Sequence, residues 1–178
     1  MIGRTDRVAL YVIGVCVAAA LGFAVLHQPV RAFEAATAIA LLRTLGATGV
    51  HGGGTSSVLV TPAHHAAFFV LVTPSCSSLA SLLSFGCLYP LLPRSSAGRS
   101  AVALATAVGV VATGNIIRIT ASIAIGLVAG RASLVLFHDW VGSMFTFVYT
   151  ITGFIVMLAM VLPKDGTVRA RREVVAVA

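Results

Sequence analysis

Acidic side chains are scarce in this chain, with five Asp and Glu among 178 residues, and charged residues of both signs make up only 10%. A water-facing domain carries about 25% charged residues, so a soluble globular enzyme is excluded, and so is a disordered chain. Three cysteines are too few for a disulfide scaffold. What is abundant is apolar: 58% of the residues, with a mean hydropathy of +1.03. That composition describes an all-α polytopic membrane protein. Twelve Lys and Arg leave a net charge of +7. In a membrane protein such an excess marks the cytoplasmic flanks of the spans, and no nucleic-acid partner is expected.

A bilayer-crossing helix needs about 20 apolar residues, and four apolar runs qualify or come close, at 8–26, 77–92, 101–119 and 140–162, the third carrying one charge, Arg118. The first follows Arg4 and Arg7 and lacks an Ala-x-Ala site before Gln28-Pro29, so an uncleaved span is expected rather than a signal peptide. The second is short, contains Pro90 and is closed by Pro93 and Arg94. The third stays apolar to 129, too long for one crossing, so 120–129 is expected to continue as a broken or re-entrant piece, or as a fifth span. With both termini cytoplasmic, eight of the twelve cations (Arg4, Arg7, Arg94, Arg99, Lys164, Arg169, Arg171 and Arg172) fall inside. Residues 1–163 then form a single transmembrane domain in the cell membrane, and 164–178 a basic cytoplasmic tail.

The extracytoplasmic segment is 27–75. Over 31–47 the charges Arg31, Glu34 and Arg43 stand among Phe33, Ala38, Ile39, Leu41, Leu42 and Leu45, the pattern of an amphipathic helix lying on the membrane. The run His51-Gly52-Gly53-Gly54 reads as a turn. Two β-branched and aromatic runs, 57–61 and 67–73, flank Pro62-Ala63-His64-His65 and read as a short β-hairpin. His51, His64 and His65 lack a nearby carboxylate or a metal-binding spacing, so a solvated hairpin tip is expected, with no metal and no cofactor.

Three residues are out of place in apolar surroundings. Cys76 opens the second span, where a helix N-terminus favours the thiolate. Arg118 closes the third, where an arginine in an apolar helix costs about 2.5–3.5 kcal/mol and usually serves function. Asn115 lies one turn earlier on the same face. His138 opens the fourth span. All three ends reach the extracytoplasmic side of the membrane. A thiol nucleophile, an imidazole acid and base, and a guanidinium for a developing oxyanion together point to acyl transfer or proteolysis.

The runs Thr73-Pro74-Ser75-Cys76-Ser77-Ser78, Asn115-Ile116-Ile117-Arg118-Ile119 and His138-Asp139-Trp140-Val141-Gly142 resemble, in order and spacing, the motifs of the exosortase/archaeosortase family of membrane cysteine transpeptidases. The likeness covers 50–162. It implies cleavage of a C-terminal sorting signal (a short motif, an apolar helix and a basic tail) on secreted proteins at the outer membrane face. Cys76, Arg118 and His138 would be catalytic, with Asn115 and Ser77 in support. Ser78 stands where the family pattern has a glycine, and four spans are fewer than in longer members. Two competing readings are a non-catalytic membrane assembly subunit and a small transporter that uses Arg118 on an anion path.

Overall fold

A computed structural model describes residues 4–88 and 97–162. The end of the expected second span (89–92), Pro90, Pro93, Arg94 and the basic tail lie outside the described residues. The chain is mostly helical, with helices α1 (Arg4–Thr44), α2 (Leu79–Leu88), α3 (Ala97–Leu136) and α4 (Gly142–Val161) and strands β1 (Val50–Gly52), β2 (Ser57–Val60) and β3 (Phe68–Leu71).

The first helix corrects an expectation. A span ending at 26 and a separate surface helix over 31–47 are in fact one helix of 41 residues that runs through Pro29, about 62 Å long at 1.5 Å per residue. Its packed face also mixes charge with apolar residues, because Arg31 and Glu34 are buried along with Ala38 and Leu42 while Phe33 is 63% exposed. The face that carries the charges is the packed one, since both side chains find partners on other elements. The helix stops in a Schellman closure, where Gly46 (φ +88) and Ala47 donate N–H groups to Arg43 and Leu42 carbonyls. Arg43 then donates to the Val50 carbonyl at 3.1 and 3.2 Å and fastens the sheet to α1.

The sheet is antiparallel in the order β1-β2-β3, with Val50 opposite Val60 and Val58 opposite Val70. The expected hairpin is present as β2 and β3. The third strand, β1, takes up His51 and Gly52, which the sequence assigned to a turn; the turn proper begins at Gly53, whose N–H donates to the Ser57 carbonyl at 3.0 Å.

The third helix runs without a break past Asn115 and Arg118 and ends its straight course at Gly130 (φ 80, ψ 179), after which 131–136 turn back. A π-turn, Phe137–Val141, leads into α4. Two apolar cores result. One joins Ala35, Ala38 and Leu42 of α1, Val50, Val58 and Val60 of the sheet, and Ile119 and Ile123 of α3. The other joins Phe85 of α2, Ala103, Ala107 and Val111 of α3, and Met157 and Val161 of α4. Small residues bring α3 and α4 close, with Gly153 against the Ala107 carbonyl and the Val111 side chain. By length and composition, the helical stretches Leu10–Thr44 and Gly98–Val161 suffice to cross a membrane, and α2 is a shorter apolar helix.

Candidate active site

The site lies where the two cores meet. Thr73 is extended, Pro74 pre-sets the next turn, and Pro74–Cys76 form a single 3-10 turn. Cys76 therefore sits before α2, not on its first turn, and the helix end is not what activates its thiol. Burial opposes ionisation, but the hydrogen bonds of Sγ with His138 and Thr73, together with the attraction of the thiolate to the imidazolium formed when His138 takes the proton, outweigh it and lower the thiol from 9.0 to about 7. Sγ lies 3.0 Å from Thr73 Oγ1 and 3.1 Å from His138 Nε2.

His138 stands on the π-turn, whose widened helical step is a feature often found at functional sites. Its Nε2 also meets Arg118 Nη2 at 3.2 Å. A guanidinium only donates, so in this contact Nε2 carries its lone pair and Nδ1 carries the proton. The thiol and the guanidinium thus address the same imidazole nitrogen. Arg118 Nη1 lies 3.5 Å from the Cys76 carbonyl and 3.5 Å from Asn115 Oδ1. Its Nε is buried without a hydrogen-bond partner among the described residues. A side chain on Gly142 would begin 2.9 Å from that Nε, so the glycine four residues after His138 is the space that Arg118 occupies.

Asn115, fully buried, links the site to a node that the sequence reading passed over. Its Nδ2 donates to Glu34 Oε1 at 2.9 Å, and its Oδ1 accepts from the Tyr149 hydroxyl at 3.1 Å. The same Glu34 oxygen accepts the Ser78 N–H at 2.9 Å and the Ser78 hydroxyl at 2.6 Å. One turn earlier on α1, Arg31 donates to the Val72 carbonyl and to Ser56 Oγ. Arg31 and Glu34 therefore grip the cysteine loop at both ends, at Val72 and at Ser78. Ser77 is not part of this cluster; its Oγ accepts the Leu79 N–H at 3.3 Å, the first N–H of α2.

The structure brings Cys76, Arg118, His138 and Asn115 together. Cys16 and Cys87 are free, and His65 packs against Gly130 instead of joining a cluster with His51. A family model described as transmembrane exosortase matches residues 4–161.

The chain belongs to the transmembrane exosortase family.

No curated protein and no solved structure matches the chain. As an exosortase it is a membrane protein, of a family of cysteine peptidases and transpeptidases. The one motif position where this exosortase departs, Ser78, has a physical role of its own, because its hydroxyl adds a second bond to Glu34 where a glycine would offer only its N–H. Glu34 and Arg31 could have been found in the sequence by the reasoning that singled out Arg118: a charge within an apolar helix is expensive unless it is partnered. Tyr149 carried no such signal, since its ring is apolar and its hydroxyl is what matters.

Proposed function

We propose that this exosortase cleaves the C-terminal sorting signal of secreted proteins through a thioester on Cys76, and that the site faces the extracytoplasmic side. The observation that carries the reading is the pair of contacts on His138 Nε2, with Cys76 Sγ at 3.1 Å and Arg118 Nη2 at 3.2 Å. Proton transfer from Sγ to Nε2 makes the thiolate, the attacking species. That same transfer removes the acceptor of Arg118 and sets two cations face to face, so the guanidinium is driven toward new negative charge. Attack forms the S–C bond and places an oxyanion at the scissile carbonyl, where the Arg118 N–H groups receive it. His138 then gives its proton to the leaving amine as the C–N bond breaks. In the second half an amine or water attacks the thioester, His138 takes its proton, and the thiol is restored. No metal or cofactor enters these steps.

The topology belongs to the same reading: four spans, both termini cytoplasmic, the sheet and the site outside. The distribution of the cations supports it, as does Trp140, 74% exposed beside His138, the residue type that anchors helices at membrane surfaces. A recess of about 350 Å3 between α2 and α4, lined by Ala80, Ser81 and Phe154, offers a place for a few side chains of the apolar helix of a sorting signal. The test is processing of a secreted protein with such a signal in cells that express Cys76→Ala, His138→Ala or Arg118→Ala at equal levels. Cys76→Ala abolishes processing, His138→Ala slows it about 10²–10⁴-fold and Arg118→Ala about 10²–10³-fold. Full processing by Cys76→Ala overturns the proposal.

A further inference from the structure

The strand that leads to the nucleophile has one edge open, and that edge borders the site. In an antiparallel ladder alternate residues turn their N–H and C=O groups to the partner strand. Thr61 donates to the Gly49 carbonyl and Gly53 to that of Ser57, so the odd-numbered residues of β2 face β1. Val72 donates to the Ser56 carbonyl, so the even-numbered residues of β2 and β3 face each other. It follows that Phe69 and Leu71 direct their main-chain donors and acceptors away from the sheet. Their side chains are 66% and 56% exposed. β3 is the edge strand, and it forms one wall of a cavity of about 200 Å3 whose other lining includes Cys76, His138 and, from the returning segment after Gly130, Arg131 and Leu134.

An unpaired strand edge is a template for another extended chain. We propose that the substrate segment next to the scissile bond adds to β3 as a fourth strand, pairing its main chain with Phe69 and Leu71. This rests on Cys76 as the nucleophile and deepens that reading by naming the bound form of the substrate: about three residues in extended conformation. Pairing with a strand that runs directly into Thr73 and Cys76 fixes the register of the incoming carbonyl against Sγ. Sequence preference is then carried mostly by main-chain shape, with one exception. Among the described residues Arg131 is the one formally charged side chain on the cavity lining, so it rejects a basic residue and favours a carboxylate in the segment that passes it.

The test uses the full chain in lipid nanodiscs and two kinds of thiol reagent. Iodoacetamide reads the thiol alone. An acetylated pentapeptide chloromethyl ketone, Ac-Ala-Val-Glu-Val-Ala-CH₂Cl, reads docking as well; it forms an S–C bond to Cys76 and loses chloride. Relative to a free thiol such as glutathione, the peptide reagent labels Cys76 at least about tenfold faster than iodoacetamide does, an advantage that two or three added hydrogen bonds account for. Phe69→Pro and Leu71→Pro each remove one outward N–H and no ladder bond. They lower peptide labelling about tenfold and leave iodoacetamide labelling unchanged. On the unaltered protein, N-methylation along the peptide slows labelling only at alternate positions, and replacing its Glu with Lys slows it in a manner that Arg131→Glu reverses. Equal slowing at every methylated position, or none, overturns strand addition even when Cys76 reacts normally with iodoacetamide. Failure of the unaltered protein to react with iodoacetamide overturns the nucleophile itself, which is a separate result.

Discussion

Cys76 derives its acidity from two side chains rather than from a helix end. Thr73 and His138 hydrogen-bond its sulfur, and the thiol comes to about 7 instead of 9.0 in spite of burial. Because the thiolate is the reacting form, the rate of alkylation by iodoacetamide rises with pH and is half-maximal near 7. His138→Ala removes the largest stabilising partner and moves that midpoint up toward 9, which a pH series of labelling rates on the two proteins measures. An unchanged midpoint would show that His138 does not share the proton. At this scale the site was half legible. Cys76, Arg118, His138 and Asn115 stood out because each is polar in apolar surroundings. Glu34 met the same criterion, yet its neighbours Arg31 and Arg43 made the stretch look like a solvated face. The difference lies in partners 44 and 81 residues away in the chain, Ser78 and Asn115, which no local pattern reports.

Among the elements, α3 and the turn after it do most to assemble the site. Arg118 lies on the straight part of α3, His138 on the π-turn that follows, and Gly130 between them reverses the chain. At φ 80 and ψ 179 that residue lies in a region open almost solely to glycine, where a side chain costs about 1–3 kcal/mol. A Cβ there would also begin 3.1 Å from the His65 ring. Gly130→Ala is therefore expected to lower the thermal midpoint and to withdraw His138 from Cys76. The second effect is read as a shift of the alkylation midpoint toward 9, whereas mere loss of stability would leave the midpoint near 7. The helices themselves were legible as apolar runs, since 140–162 and 101–119 fall largely on α4 and within α3. The hairpin was legible from its β-branched residues. The continuity of α1 was not, because Pro29 and a cluster of charges are ordinary stop signals, and they are overruled here by the anchoring of Arg31 and Glu34 on other elements. Gly130 was one of 17 glycines, with nothing in its neighbours to mark the reversal.

For the whole molecule, the arrangement of two cores with the polar cluster between them separates two tasks. The core around Phe85, Ala107 and Met157 suits a lipid setting, with apolar residues such as Val148 and Ile155 left exposed on α4. The core around Val58 and Ile123 joins the sheet to the ends of α1 and α3. With the sheet end extracytoplasmic, a membrane-impermeant maleimide added to intact cells labels Cys76 and leaves Cys16, within the apolar part of α1, unlabelled. Labelling of Cys76 only after the membrane is opened would reverse the proposed orientation. The order of spans and charges led to the expectation that three helix ends share one level; that Cys76 and His138 approach to 3.1 Å could not be read, because it depends on the reversal at Gly130 and the space left at Gly142.

The order of the site residues along the chain gives the enzyme a history as well as a shape. Glu34 emerges from the ribosome first, Cys76 next, Asn115 and Arg118 later, and His138 near the end. Until α3 has entered the bilayer the Glu34 carboxylate lacks the Asn115 amide, and until the π-turn follows, the thiol has no imidazole to take its proton. A half-made chain thus carries an ordinary cysteine. On the proposed function, cleavage becomes possible only once the segment with the π-turn has docked, so a half-made copy cuts nothing.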